Sequence, residues 1–235
     1  VQITLGQTAM DTINLPEVKL MESKLIAHTI GSNIEVLSAE MIGSSNTQNL
    51  ADFLAVNTAF YIKQYGSLAT PSFRGTSSSH TLVLWNGIPL NSITLGMLDF
   101  SILPTSGFNE ISLVHGGDAS VFGSGAMGGS IHLKSANTVT DKNEIKLTNE
   151  SGSFGLQTNA ISFKHSMVDF SFSGALSSLT DQNNFEYTNT TQMGHPTVVN
   201  KYGVIKSKTG MLDIAYRYDD NNQFAINYWN TATDR

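Results

Sequence analysis

The chain has 235 residues, no cysteine, 14% charged residues and a formal net charge of −6. Soluble domains carry roughly 25% charged residues, so this chain is atypical of a soluble cytosolic protein, and its acidic balance argues against a nucleic-acid-binding protein. The lack of cysteine excludes a disulfide framework, a thiolate metal site and a thiol nucleophile.

The first half of the chain, to about Lys134, predicts a mixed domain of helix and strand. Ile34–Leu37 and Phe60–Gln64 are short strand candidates. Apolar residues at helical spacing predict a helix within Thr47–Val56. Tyr65–Pro71 follows as a predicted loop.

The later part of this half contains the stronger strand signals. Thr81–Trp85 is typical of a buried strand, and Asn86-Gly87 is a hairpin turn signal. Glu110–Val114 and Ser130–Lys134 are further strands. Between them, Gly123–Gly128 matches the dinucleotide-binding fingerprint, but a strand rather than a helix follows, so close backbone packing is the favoured interpretation.

The second half, from about Glu144, alternates apolar and polar residues. Five segments show this period: Ile145–Leu147, Ile161–Phe163, Val168–Ser173, Leu212–Tyr218 and Phe224–Tyr228. A soluble β-sandwich would give the same pattern. Two details favour a membrane β-barrel. Aromatic residues lie near strand ends, which is typical of an outer aromatic belt at the membrane interface (Tyr216, Tyr218, Tyr228, Trp229). Tight turns also alternate with the long polar connection Asp181–Tyr202.

No apolar run approaches the roughly 18 residues of a transmembrane helix, whereas barrel strands escape hydropathy scans. Val1–Thr4 shows no signal peptide, so an exported protein would here be a mature form or a fragment. Five strands cannot close a barrel, and a membrane does not tolerate open sheet edges. We therefore expect the remaining barrel strands in missing sequence or in a separate chain.

The sequence contains no catalytic constellation, so we predict no enzyme, no catalytic residue and no resident metal. The six histidines are scattered, and no pair lies at i, i+4 with an acidic residue. Asp219–Asn222 is a turn rather than a calcium loop. Calcium in the outer loops is left open, with oxygen ligands from Asp181, Asn183, Asn184 and Glu186.

Two ordered motifs carry a resemblance to a known family. Phe73–Asn91 (FRGTSSSHTLVLWNGIPLN) resembles the plug signature of TonB-dependent outer-membrane receptors and is especially similar to that of the cobalamin (corrinoid) receptors. Glu110–Leu133 resembles the second signature of this family, and Thr47–Val56 resembles the plug helix. Asp11–Leu20 is similar to the TonB-binding box and the strand after it.

The resemblance implies a mainly β fold: a small α+β plug domain inside an antiparallel transmembrane β-barrel of about 22 strands, in the bacterial outer membrane. The implied division is an N-terminal segment with the TonB box at residues 1–22, the plug at 23–135, and the first five or so barrel strands at 136–235. Asp181–Tyr202 is then expected outside the cell and Asp219–Asn222 in the periplasm.

The resemblance also implies site residues. The TonB box would comprise Asp11, Thr12, Ile13, Asn14, Leu15, Glu17 and Val18. Substrate would bind Tyr65, Gly66, Ser67, Leu68, Ala69, Asn91, Ser92, Ile93, Thr94 and Leu95. Arg74 and His115 would contact the barrel.

This sequence departs from the family pattern at four positions. His115 and Gly117 replace an arginine and a proline, Asn86 replaces an aspartate, and Pro16 interrupts the box. If the family arginine pairs with barrel carboxylates, His115 can do so only when protonated.

The implied function is energy-coupled uptake of a scarce bulky nutrient, with a corrinoid as the first choice and a ferric siderophore as the second. An oligosaccharide or peptide receptor with a lipoprotein lid ranks third. The implied partners are a TonB-type protein in the periplasm, outer-membrane lipid and a surface lipoprotein. A β-rich surface adhesin is the alternative from another class, but it would leave the plug signatures unexplained.

Overall fold

The computed structural model describes residues 33–44, 49–73, 75–116, 122–135, 143–219 and 222–235, all within one compact unit, Gly31–Arg235. The predicted TonB box at Asp11–Val18 and the predicted contact residue Arg74 lie outside the described residues. No helix within the described ranges is long and apolar enough to cross a membrane. We call the described residues up to Ser135 the plug, and those from Asn143 the wall.

The elements are short in the plug and long in the wall. The helices are α1 (Ala39–Ser44) and α2 (Leu50–Asn57). The plug strands are β1 (Asn33–Ser38), β2 (Tyr61–Tyr65), β3 (Leu68–Ser72), β4 (Thr81–Trp85), β5 (Ile88–Pro89), β6 (Glu110–His115) and β7 (Gly129–Lys134). The strands after the plug are β8 (Glu144–Ser151), β9 (Gln157–Ser166), β10 (Phe170–Asp181), β11 (Glu186–Thr188), β12 (Thr197–Val199), β13 (Ile205–Arg217) and β14 (Gln223–Asp234).

The plug is built on a mixed sheet with the strand order β1-β6-β7-β4-β5. Strand β4 pairs in parallel with β7, and the other neighbours are antiparallel. Asn49 caps the N-terminus of helix α2: its side-chain oxygen accepts a hydrogen bond from the Asp52 backbone amide at 2.9 Å. Leu50, Phe53 and Leu54 of this helix join the sheet residues in one buried apolar core. The predicted strands and helix of the first half are confirmed.

One predicted loop is wrong, because Tyr65–Pro71 forms a hairpin. Strands β2 and β3 pair antiparallel from Tyr65↔Leu68 to Tyr61↔Ser72 around the turn Gly66-Ser67. Gly66 has φ +59°, which a tight hairpin turn requires and which glycine adopts without strain. Pro71 fits here because this sheet has only two strands, so each is an edge strand.

The glycine-rich stretch before β7 serves close packing, in agreement with the sequence interpretation. A Cβ atom on Gly129 (φ +150°) would lie 2.5 Å from the Val114 carbonyl oxygen and 3.0 Å from the Phe73 ring. A Cβ on Gly128 would overlap the Thr76 hydroxyl and lie 3.0 Å from the His80 carbonyl oxygen. Only glycine therefore allows β7 to approach these neighbours.

The wall is an antiparallel sheet with the order β14-β13-β10-β9-β8. Its strands alternate as predicted, and one face packs on the plug. On β13 this inner face carries Ser207, Thr209, Met211, Asp213 and Ala215, all buried. The outer face exposes large apolar side chains: Ile145, Leu147, Ile161, Phe170, Leu176, Tyr216, Phe224, Ile226 and Tyr228.

The connections of the wall differ at its two ends. Met167–Asp169 joins β9 to β10 as a tight turn, so Val168 and Asp169 lie in the turn rather than in the predicted strand. The long connection between β10 and β13 contains the small hairpin β11–β12, which the sequence pattern did not predict. Because successive wall strands are antiparallel, this connection lies at the opposite end from Met167–Asp169.

We expect Gly129→Ala to lower the free energy of unfolding by at least about 2 kcal/mol, from backbone strain and overlap with Val114 and Phe73. Gly125→Ala is the matched control, because the nearest atom to its added Cβ is a Leu82 methyl at 3.9 Å. Urea unfolding of the protein in detergent measures both. Equal midpoints for the two variants would contradict the close-packing explanation.

Candidate functional site

The first segment predicted to bind substrate, Tyr65–Ala69, is bonded to Asp99 and Ser101, which follow the second predicted segment, Asn91–Leu95, in the chain. The Ser101 hydroxyl donates a hydrogen bond to the Ser67 carbonyl oxygen at 2.9 Å. The Ala69 amide donates to the Asp99 carboxylate at 3.1 Å. Asp99 lies just beyond the second segment, Asn91–Leu95, so these bonds hold the β2–β3 hairpin beside it.

The surface of these segments is apolar with interspersed hydroxyl groups. Ile93 is fully exposed, and Leu95 and Tyr65 are largely exposed. Ser92 and Thr94 lie within hydrogen-bond distance of each other, at 3.1 Å between their side-chain oxygens. A mixed surface of this kind suits a bulky amphipathic ligand.

Asn91 has a structural role in its loop. Its side-chain oxygen accepts a hydrogen bond from the Val83 amide at 2.7 Å. Its amide nitrogen donates to the carbonyl oxygens of Thr81 and Gly96, both at 2.9 Å. These three bonds shape the loop that presents Ile93 and Leu95, and the ligand contact predicted for Asn91 stays a prediction.

Asp99 also attaches this end of the plug to the wall. Its carboxylate forms an ion pair with Arg235, which directly follows β14. In the strand register, Asp234, the last residue of β14, lies opposite Lys206. Lys206 is near the start of β13, which follows the long connection. The predicted substrate segments therefore lie at the end of the wall that carries Asp181–Tyr202.

A second attachment lies nearer the other end of the wall and centres on Asn86. This residue occupies the turn between β4 and β5 with φ +48°, followed by Gly87 with φ +87°. The Asn86 amide nitrogen lies 3.1 Å from an Asp213 carboxylate oxygen on β13 and 3.0 Å from the Asn227 side-chain oxygen on β14. One plug side chain thus bridges two adjacent wall strands. The sequence signal at Asn86 predicted only the turn.

Aromatic packing surrounds this polar contact. The rings of Trp85 and Trp229 meet edge to face at 5.1 Å between centroids, and Phe108 stacks on Trp229 at 5.9 Å. The assignment of Trp229 to an outer aromatic belt is therefore wrong, since its ring faces the plug. Gly107 precedes Phe108 in the chain, and a Cβ atom on it would lie 2.6 Å from the Met211 methyl group on β13. Glycine at this position therefore permits the close approach of the plug to the wall.

His115 lies on the plug at the end of β6. Its Nε2 atom is 3.6 Å from a Glu35 carboxylate oxygen on β1, and its ring meets Phe73 edge to face. The contact with the barrel that was predicted for His115 stays a prediction, as does that of Arg74.

The oxygen-rich residues of the long connection bond within the loop. The backbone amide of Asn183 donates a hydrogen bond to the Asp181 carboxylate at 2.9 Å. Across the described ranges, no group of three or more histidine, aspartate or glutamate residues is placed to hold a metal ion. The calcium alternative for Asp181, Asn183, Asn184 and Glu186 stays an untested expectation.

Comparison with known families gives the architecture its context. Residues 27–130 match the family model described as "TonB-dependent Receptor Plug Domain". Over these residues the chain carries a plug domain of the TonB-dependent receptor kind. The chain is a plug followed by strands of a barrel, as the fold-class prediction stated, and it belongs in the bacterial outer membrane. Its exposed apolar face is the face that such a barrel turns to lipid.

Two curated relatives carry the same name. The chain is 34% identical over 105 residues to "Vitamin B12 transporter BtuB" of Photobacterium profundum, covering 44% of this chain and 17% of that protein. It is 30% identical over 136 residues to the protein of the same name from Vibrio vulnificus, covering 57% of this chain and 21% of that protein. The chain thus spans about a fifth of the length of these relatives.

Solved structures share the fold at lower identity. The ferric yersiniabactin uptake receptor FyuA from Yersinia pestis superposes with a TM-score of 0.64 at 15% identity, over 86% of this chain and 32% of that one. The siderophore receptor PiuA from Acinetobacter baumannii gives a TM-score of 0.63 at 16% identity, over 86% and 26% of the two chains. These likenesses establish the fold.

We expect Leu176→Arg to destabilise the folded wall by about 2–4 kcal/mol, because an arginine on the lipid face loses its hydration near the middle of the bilayer. Ser177→Arg is the matched control: it lies at the same depth, and its side chain points to the inner face, opposite Thr209. Unfolding in lipid vesicles measures both. A larger loss for Ser177→Arg would contradict the assignment of the two faces.

Proposed function

We propose that this chain supplies the plug and the first wall strands of a TonB-dependent receptor that takes up cobalamin or a related corrinoid. The identity of 30–34% to proteins named vitamin B12 transporters carries this proposal. The apolar and hydroxyl surface of Tyr65, Ile93 and Leu95 supports it, since a corrinoid is bulky and amphipathic. We propose no catalytic activity.

The ligand would first meet the outward loops of the plug. Hydrogen bonds from the side chains of Asp99, Asn91 and Ser101 hold these loops in place. A surface fixed before binding loses little conformational entropy when the ligand arrives, which favours affinity. Further ligand contacts would come from the outer loops of the barrel, including Asp181–Tyr202.

Energy for transport would come through the predicted TonB box at Asp11–Val18. An extended segment of this kind can add as a strand to the sheet of a TonB-type partner in the periplasm. A pull on it would then move or partly unfold the plug and open a path along the wall.

A ferric siderophore receptor is the second candidate. The likeness of the fold to the siderophore receptors FyuA and PiuA favours it. Equilibrium binding of cyanocobalamin and of ferric siderophores to the purified protein separates the two. Binding of a ferric siderophore, with no binding of cyanocobalamin, would overturn the corrinoid proposal.

We expect Ile93→Asp to weaken cyanocobalamin binding by about tenfold to hundredfold, which is the value of one buried aliphatic side chain. Val56→Asp is the matched control, because Val56 is also a largely exposed aliphatic residue but lies on α2. Equilibrium binding to the purified protein measures both. Equal affinity of the two variants would exclude Ile93 from the ligand surface.

Deletion of Asp11–Leu20 tests the coupling step. We expect uptake of labelled cobalamin by cells to be abolished while surface binding is unchanged, because the deletion removes only the segment that the partner grips. Whole-cell binding and uptake assays measure the two steps separately. Undiminished uptake would refute the location of the box.

A further inference from the structure

The side chain of Asn86 both donates and accepts hydrogen bonds at the plug–wall contact. Its amide nitrogen has three acceptors within reach: the Ser135 hydroxyl at 2.8 Å, Asn227 at 3.0 Å and Asp213 at 3.1 Å. Its oxygen accepts a hydrogen bond from the Ser135 amide at 3.1 Å. The position therefore needs a short side chain that both donates and accepts and that tolerates φ +48°. Asparagine meets all three requirements.

The partner of Asn86 on β13 makes the charge at this position important. Asp213 is 2% exposed, on the inner face of the wall. A buried carboxylate needs hydrogen-bond donors around it, and the plug supplies two to Asp213, the Ser135 hydroxyl and the Asn86 amide. A second carboxylate in the place of Asn86 would remove this donor and set two like charges about 3 Å apart, at the distance of the present hydrogen bond.

A second attachment lies on the same wall strand. Asn227 is the fifth residue of β14, and Arg235, the partner of Asp99, directly follows the end of this strand. The two residues are eight positions apart, which corresponds to about 27 Å at 3.4 Å per residue. The plug segment Trp85–Ser101 is thus fixed at two separate points along β14, and the loop Asn91–Leu95 lies between the two attached residues in the chain.

We propose that Asn86 and Asp213 are a matched pair that docks the segment Trp85–Ser101 on β14 and thereby positions the loop Asn91–Leu95. Asn86 is a positioning residue in this scheme, since it acts on the ligand only through the loop. The docking is independent of the identity of the ligand, whereas the positioning of the loop rests on the proposed function.

The tryptophans provide a direct signal of docking. The chain contains two, Trp85 and Trp229, and their rings are 5.1 Å apart across the contact. Rings this close couple in the near-ultraviolet circular dichroism spectrum. The difference between the wild-type and Trp229→Phe spectra isolates the contribution of the pair, and this contribution can be followed in every variant.

Asn86→Asp is the decisive variant, because it preserves the size, the left-handed backbone and the oxygen that accepts from Ser135. At about pH 8, well above the ordinary pKa of a free carboxyl group, we expect the Trp85–Trp229 signal to fall by more than half and the dissociation constant for cyanocobalamin to rise at least about tenfold. Asn86→Asp/Asp213→Asn exchanges donor and acceptor, and we expect it to restore both values. Asp213→Asn alone keeps an acceptor and should change little.

Each result decides a part of the proposal. A full Trp85–Trp229 signal in Asn86→Asp overturns the matched pair. So does a double variant in which this signal does not recover. The double variant gives this answer even if Asn86→Asp does not fold. A lost and restored signal with unchanged cyanocobalamin affinity overturns the positioning of the loop. If the wild-type protein binds no cyanocobalamin, the proposed ligand is wrong, and the tryptophan signal alone still decides the docking.

Discussion

The structure depends on the burial of a polar inner wall face against the plug. Inside a protein, each buried polar group needs a partner, since an unpaired one costs free energy. Asp213 on β13 forms hydrogen bonds with the plug side chains of Ser135 and Asn86, and Asn227 on β14 forms one with Asn86. The contact therefore fixes where the plug sits, because a displacement of the plug would break these bonds.

The wall satisfies a different constraint on each face. Successive residues of a strand point to opposite sides, so one strand can present Ile226 outward and Asn227 inward. The apolar face suits lipid, where polar side chains are unfavourable, and the polar face suits a plug that carries hydrogen-bonding groups. The inner face also carries apolar side chains, among them Met211 and Trp229. The large ring of Trp229 packs on Trp85 and Phe108 and adds apolar contact beside the polar bonds.

The outward end of the plug combines exposure with fixed geometry. Ile93 and Leu95 project into solvent, while Asn91 holds the backbone of their loop and Asp99 holds that of Ala69 on the β2–β3 hairpin. A receptor for a scarce nutrient benefits from this combination, because little order has to be created when the ligand binds. The same wall strand, β14, anchors both ends of the segment that carries the loop.

Local patterns in the sequence determined most of the strands, the helix α2, the Asn86-Gly87 turn and the two-sided character of the wall, but not the hairpins β2–β3 and β11–β12. These features depend on residues a few positions apart, through period-two alternation, helical spacing and turn chemistry. Only the tertiary structure decided that Asn86 meets Asp213, 127 residues away, and that Asp99 meets Arg235, 136 residues away. It also decided that Trp229 faces the plug. A local pattern specifies which face of a strand is buried, but the residue it meets depends on strand register and on how two domains pack, which no short segment encodes.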